Sequence, residues 1–172
     1  YFDSSVLYSV SYDQRNQTFK PTSGYLSRFV QSIPIVSDGA PLLNGYELNT
    51  YKEITDEMIF SFSLYGRAIN SLTDDDVRVS KRLFLPSSKL RGFEAGKVGP
   101  KDSEDFIGGN YATAINAATT VPYIFQTLET MDMVMFLDAA NVWGVDYSDT
   151  IDDSDKIRSS FGVAIDWFTV IG

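Results

Sequence analysis

In segment after segment of this chain, apolar residues recur at every second position. Val6, Tyr8, Val10 and Tyr12 are interleaved with Ser5, Leu7, Ser9 and Ser11, and Met58, Phe60, Phe62 and Leu64 with Ile59, Ser61, Ser63 and Tyr65. Tyr111, Thr113 and Ile115 oppose Asn110, Ala112 and Asn116; Met133, Met135 and Leu137 oppose Val134, Phe136 and Asp138. Phe161, Val163, Ile165 and Trp167 oppose Gly162, Ala164 and Asp166. A period of two places each set on one face of a sheet. Two polar-rich segments, about 25–33 and about 42–54, read as weaker strands. The total is about seven strands of about 9–13 residues, longer than the 5–6 typical of globular sheets. No long segment shows helical spacing with matching caps, so the reading is all-β.

Alternation serves two architectures. In a sandwich the apolar face meets the core and the other meets water. In a membrane barrel the apolar face meets lipid and the polar face lines the lumen. Hydropathy does not choose between them, because alternating strands average to neutrality. The longest apolar run, Met133 to Leu137, is stopped by Asp138 and falls far short of the roughly 18 residues of a spanning helix. Strand length favours the barrel, since a strand tilted by about 45° needs about 9–11 residues to cross a bilayer.

Composition narrows the function classes. The 172 residues contain no Cys and no His. Disulfides, thiolate catalysis, histidine triads and the commonest zinc ligands are thereby excluded. With 14 Lys+Arg against 23 Asp+Glu, the net charge is −9, and no basic stripe suggests nucleic acid. The 12 Phe, 10 Tyr and 2 Trp exclude a disordered acidic tail. No cofactor site and no nucleophile–base constellation is visible, and the expectation is a non-enzyme.

Connections fall at about 13–24, 34–41, 55–57, 70–108, 119–130 and 144–157. The two longest, about 70–108 and about 144–157, follow the fourth and sixth strands and so emerge at the same end, as outer loops of a barrel would. Trp143, Trp167, Phe168, Tyr12 and Tyr123 fall near strand ends, where an interfacial girdle belongs, although aromatics favour strands in any case. Asp146, Asp149, Asp152, Asp153 and Asp155 crowd one loop and Asp74, Asp75 and Asp76 another. Their spacing does not match a calcium loop, and they read as a solvated acidic surface. Asp138 and Asp166 sit on different strands with no sugar cleft to make them a glycosidase pair. The methionines 131–135 read as a lipid face, not a soft-metal site.

Within the long loop stands Leu90-Arg91-Gly92-Phe93-Glu94, followed by Gly96, Val98-Gly99-Pro100 and then Gly108-Gly109-Asn110 opening a strand. Arg91-Gly92-Phe93 resembles the loop motif of the outer-membrane protein assembly and two-partner secretion superfamily. Phe136-Leu137-Asp138-Ala139-Ala140 is similar to its F-x-D-x-G strand motif, with Ala140 in place of the glycine. Tyr12-Asp13-Gln14-Arg15-Asn16, with Phe19, Pro21, Thr22 and Gly24, matches its turn before a barrel strand, and the segment 158–167 resembles BamA-like assembly factors.

The resemblance implies an antiparallel transmembrane β-barrel of sixteen strands, of which residues 1–172 hold strands eight to fourteen. They would form part of a C-terminal barrel domain, with the periplasmic POTRA domains and the two strands of the lateral seam outside this chain. It implies that the extracellular loop folds into the lumen, where Arg91, Gly92 and Phe93 hold it and Asp138 on the inner wall pairs with the arginine. Asp138 also faces away from Met133, Met135 and Leu137 by alternation alone. The family's second acid for that arginine aligns with Asn116, an uncharged candidate partner. Phe136, Gly108 and Gly109 support the motif.

The implied function is assembly and insertion of barrel proteins into a Gram-negative-type outer membrane. Unfolded barrel proteins, accessory lipoproteins of the assembly complex and outer-membrane lipids would be the partners. The alternatives are a secretion pore of the same superfamily exporting one passenger, and a soluble β-sandwich binding module.

Overall fold

The computed structural model describes residues 3–37, 39–121, 131–148, 151 and 156–167. The strands are β1 (Ser4–Asp13), β2 (Gly24–Val36), β3 (Pro41–Thr55), β4 (Met58–Ser71), β5 (Lys101–Asp102), β6 (Asp105–Phe106), β7 (Tyr111–Val121), β8 (Met131–Trp143) and β9 (Arg158–Trp167). Seven of them form one antiparallel sheet in the order β1-β2-β3-β4-β7-β8-β9, while β5 and β6 pair with each other. The five alternating segments and the two polar-rich ones are all strands. β3 and β4 reach 15 and 14 residues because their register runs on to the Thr55–Met58 pair beside a tight Asp56-Glu57 turn. β2 continues past residue 33 through Pro34, which lies opposite Ser5 next to a register irregularity, where a missing N–H is tolerated.

Register makes the two faces different materials. One cross-strand row on the outer face reads Phe161, Leu137, Ala117, Phe62, Thr50 and Tyr25. Phe161 is 85% exposed, Ile165 66%, Leu137 59% and Met135 52%. The adjacent row on the inner face reads Ser160, Asp138, Asn116, Ser63, Asn49 and Leu26. Polar groups there find one another; the Ser63 hydroxyl donates to Asn49 Oδ1 at 2.7 Å. Among the described residues no second sheet covers the apolar face, which sets the sandwich reading aside. An outward apolar wall and an inward polar one is the arrangement of a lipid-facing barrel. The outer edges of β1 and β9 have no paired neighbour among the described residues, so the sheet is an open arc of barrel wall.

Aromatic pairs mark opposite ends of the outer face. Tyr111 stacks on Trp143 with centroids 5.6 Å apart, and Tyr12 lies 5.9 Å from Tyr25 at the other end. Of the remaining girdle candidates, Tyr123 and Phe168 and the side chain of Trp167 lie outside the described residues.

The turn between β1 and β2 is built from its own side chains. Arg15 forks onto Asp13 at 2.9 and 2.7 Å, and Asn16 Oδ1 accepts from the N–H groups of Thr22 and Ser23. Gly24 has φ +93°, and a Cβ there would fall 2.1 Å from the Gln14 carbonyl oxygen, so no other residue fits. From this turn Lys20 reaches Asp132 on β8, with Nζ 2.8 Å from the carboxylate.

The long connection from β4 to β7 is ordered by two 3₁₀ turns, Val79–Lys81 and Ser87–Lys89, and by the β5–β6 hairpin. It lies against the inner face. Leu85, Leu90 and Val98 from the loop form one buried cluster with Tyr65, Ala112, Ala114, Ala140 and Val142 from the wall. Small residues at 112, 114 and 140 are what allow it: each is at most 3% exposed, and a larger side chain would occupy the loop's place.

Candidate functional site

The site is the seam between this loop and the wall. β8 presents Asp138 inward, fully buried at 0% exposure. A carboxylate so placed is stable only when its charge is answered. Arg91 answers it three times. Its main-chain N–H donates to Oδ2 at 3.0 Å, Nε to the same oxygen at 2.8 Å, and Nη2 to Oδ1 at 2.7 Å. The side-on fork matches the planar guanidinium to the planar carboxylate, a fit that lysine lacks. Phe136, two residues before Asp138 and therefore on the same face, lies under the guanidinium, with Cζ 3.8 Å from the ring centroid. The aromatic ring adds a cation–π contact and covers the pair from one side.

The rest of the motif brings the arginine there. Leu90, 1% exposed, anchors the residue before it. Gly92 adopts φ +83°, and nothing lies within 4 Å of the place a Cβ would take, so its requirement is conformational and not steric. Phe93 then packs against the buried cluster. Asn116 lies directly opposite Asp138 in register, and its amide donates to the Lys89 carbonyl at 2.9 Å, tying the loop two residues upstream of Arg91. Lys89 itself lies over the Tyr65 ring, with Nζ 5.0 Å from the centroid.

Gly108 and Gly109 close the loop's other end. The N–H groups of Leu83 and Gly109 each donate to the other's carbonyl, at 2.8 and 3.0 Å. A Cβ on Gly108 would meet the Leu83 oxygen at 2.7 Å, and one on Gly109 the Trp143 oxygen at 2.4 Å. Glycine is needed at both because backbone passes on two sides.

A second junction was not anticipated from the sequence. Arg82, 5% exposed, donates Nε to the Val77 carbonyl at 3.2 Å and Nη2 to Asp146 Oδ1 at 3.1 Å, and lies over Tyr147 with Cζ 4.7 Å from the ring centroid. The other oxygen of Asp146 accepts from the Val77 N–H at 2.8 Å and the Asn110 amide at 3.0 Å. Asp146 thus joins the start of the loop, the start of β7 and the connection after β8. Reading it as one more solvated acid of a charged loop misses this role, while Asp149, Asp152, Asp153 and Asp155 of the same group lie outside the described residues. Asp75 accepts from the Thr73 hydroxyl, a local turn contact. Among the described residues no group of acids is arranged to hold a metal ion.

Burial works to raise the Asp146 carboxyl. The Val77 N–H, the Asn110 amide and the Arg82 charge outweigh it, holding the carboxyl below the ordinary Asp value of 3.8. A depressed folded-state value contributes stability above the unfolded value and loses it as pH falls through the folded one. We therefore expect the loop 72–110 to become protease-sensitive on acidification below about pH 4. Asp146→Asn should show that sensitivity already at neutral pH; equal cleavage of both proteins from pH 7 to 3 would refute the assignment.

A family model for the Omp85 superfamily domain matches residues 1–172. The chain belongs to the Omp85 superfamily. Among its curated relatives, "Sorting and assembly machinery component 50 homolog A" of Xenopus laevis is 27% identical over 161 residues, covering 85% of this chain and 33% of the relative. The Bos taurus homolog matches with the same identity and coverage, and the Homo sapiens homolog at 25% identity. The Omp85 chain described here therefore spans about a third of the length of these relatives. The crystal structure of BamA from Haemophilus ducreyi lacking POTRA domains 1–3 shares its fold, with TM-score 0.86 and 22% identity, over 96% of this chain and 36% of that one. The seven-stranded open sheet is thus a segment of an Omp85 barrel.

Proposed function

We propose that the protein to which this segment belongs assembles β-barrel proteins into an outer membrane, as a non-enzymatic insertion factor. The observation that carries this reading is the match of the whole segment to the Omp85 superfamily, alongside relatives named for sorting and assembly and a fold shared with BamA. Physically, a barrel can do this work without nucleotide. Unpaired backbone groups at a seam offer hydrogen bonds to an incoming strand, and lipid leaves that strand nowhere else to satisfy its own. In this scheme the present segment is rigid wall that does not include the working seam, residues 1–172 being part of the barrel domain and the long loop an extracellular one folded into the lumen. Arg91, Gly92, Phe93 and Asp138 act as the latch that keeps the loop inside; Phe136, Asn116, Gly108 and Gly109 support it.

Unfolded barrel proteins are the proposed clients, accessory lipoproteins the proposed partners in assembly, and outer-membrane lipids the surroundings. A Gram-negative envelope is the narrower localisation expected from sequence. The frog and cattle relatives show that the superfamily extends beyond bacteria, so the proposal is an outer membrane, with fractionation of the parent organism assigning which one.

Depletion of the full-length protein is the direct test. Barrel proteins as a class should disappear from the outer membrane while other envelope proteins persist. If barrel proteins are unaffected and a single exported protein accumulates inside, the protein is a secretion pore and the insertion reading fails.

A further inference from the structure

Six of the 14 cations of this acidic chain are seen paired with acids. Arg15, Lys20, Arg67, Lys81, Arg82 and Arg91 each pair with a carboxylate. Four other cations are gathered in one place. Lys97, Lys101, Lys156 and Arg158 line a single cavity of about 220 Å³ at the loop end of the sheet, between the β5–β6 hairpin and the start of β9. Four of the chain's 14 basic residues thus share one small space. Among the described residues, none of the ion pairs takes Lys97, Lys101 or Arg158. The ammonium groups of Lys97 and Lys101 instead both lie over the Phe106 ring, 5.6 and 4.4 Å from its centroid. Arg158 directs Nη1 to the Lys156 carbonyl at 3.4 Å, leaving most of its fork for another acceptor.

Like charges gathered in a concave site repel one another and focus a positive potential into it. We propose that this cavity is a binding site for a phosphate-class anion. A guanidinium fork supplies paired donors to tetrahedral oxyanions, and lysines add point charges around them. Phe106 restrains the two lysine heads on one side, which reduces the entropy lost when a ligand arrives. The volume accommodates a phosphate or diphosphate group and not a whole lipid, so a lipid ligand would insert its headgroup only. Because the cavity lies between the hairpin and β9, an occupant ties the mouth of the loop to the wall at a point remote from Arg91.

The test uses the full-length protein in detergent, titrated with inorganic pyrophosphate by calorimetry. In parallel, its thermal stability is followed in micelles doped with phosphatidic acid or with phosphatidylcholine. Saturable pyrophosphate binding marks a soluble ligand, and stabilisation by phosphatidic acid but not phosphatidylcholine marks a lipid headgroup; either supports the site. The K97Q/K101Q double variant and R158Q should each weaken the response at least tenfold. Both lysines are exposed loop residues, so the double variant decides the matter even if R158Q fails to fold. Absence of saturable response to both probes, or an unchanged response in the double variant, overturns the proposal.

Discussion

Arg91→Ala should release the long loop from the wall and destabilise the barrel by about 3–5 kcal/mol, the cost of leaving a buried charge without its partner. The magnitude follows from asymmetry within the pair. Asp138 is fully buried, whereas the Arg91 side chain retains 31% exposure. Removing the arginine strands a carboxylate that water does not reach; removing the acid strands a guanidinium that water does. Asp138→Asn should therefore cost less than Arg91→Ala, and Arg91→Lys should fall between, keeping charge but losing the fork. In the full-length protein the readouts are the temperature at which the folded, fast-migrating gel band converts to the unfolded one and the rate of proteolysis within 72–110. A fast band as heat-resistant as wild type, with the loop still protected, would mean that the pair holds nothing.

Gly109→Ala should be nearly as damaging although it adds one methyl group. The new Cβ would lie 2.4 Å from the Trp143 carbonyl oxygen, and the obstruction is backbone, which no rotamer change relieves. Either β7 leaves β8 at this end or Gly109 leaves Leu83, losing the two reciprocal hydrogen bonds. The expected penalty is on the order of 3 kcal/mol, combining steric displacement with the lost bonds. Gly66→Ala is the matched control, because nothing lies within 4 Å of its Cβ position. Backbone amide exchange at 109–112 and at 141–144 should quicken in the first variant and not in the second; equal exchange in the two would defeat the argument.

How much of this was legible in the sequence depends on the range over which each feature is encoded. The sheet was, because facing is written locally: a residue's parity within its strand assigns Asp138 inward and Leu137 outward without knowledge of any neighbour. Connection lengths likewise placed both long loops at one end. The Arg91–Asp138 pairing spans 47 residues, and only the likeness of both motifs to a family suggested it. No such likeness flagged Arg82 and Asp146, and their 64-residue separation carries no local pattern. One retrospective hint exists: Arg82 precedes Leu83-Phe84-Leu85, an apolar run unusual beside a solvated charge. The β5–β6 hairpin, two residues a side, is too short for any period to register. Phe136 was assigned as a motif residue, but its place beneath the guanidinium depends on where the loop lies in three dimensions.

The Lys20–Asp132 contact has a mechanical meaning. Between β2, which follows the Lys20 turn, and β8, which bears Asp132, the sheet passes through four interstrand spacings, about 19 Å of arc at about 4.8 Å each. The turn and its lysine cut across that arc as a bowstring cuts across a bow. Both side chains remain partly exposed, so the string contributes no more than about 1 kcal/mol. Its geometry matters more than its strength, because flattening the wall pulls it apart while tightening the curve leaves it intact. The contact therefore biases this arc toward its curved form: opening the arc breaks it, and closing the arc does not.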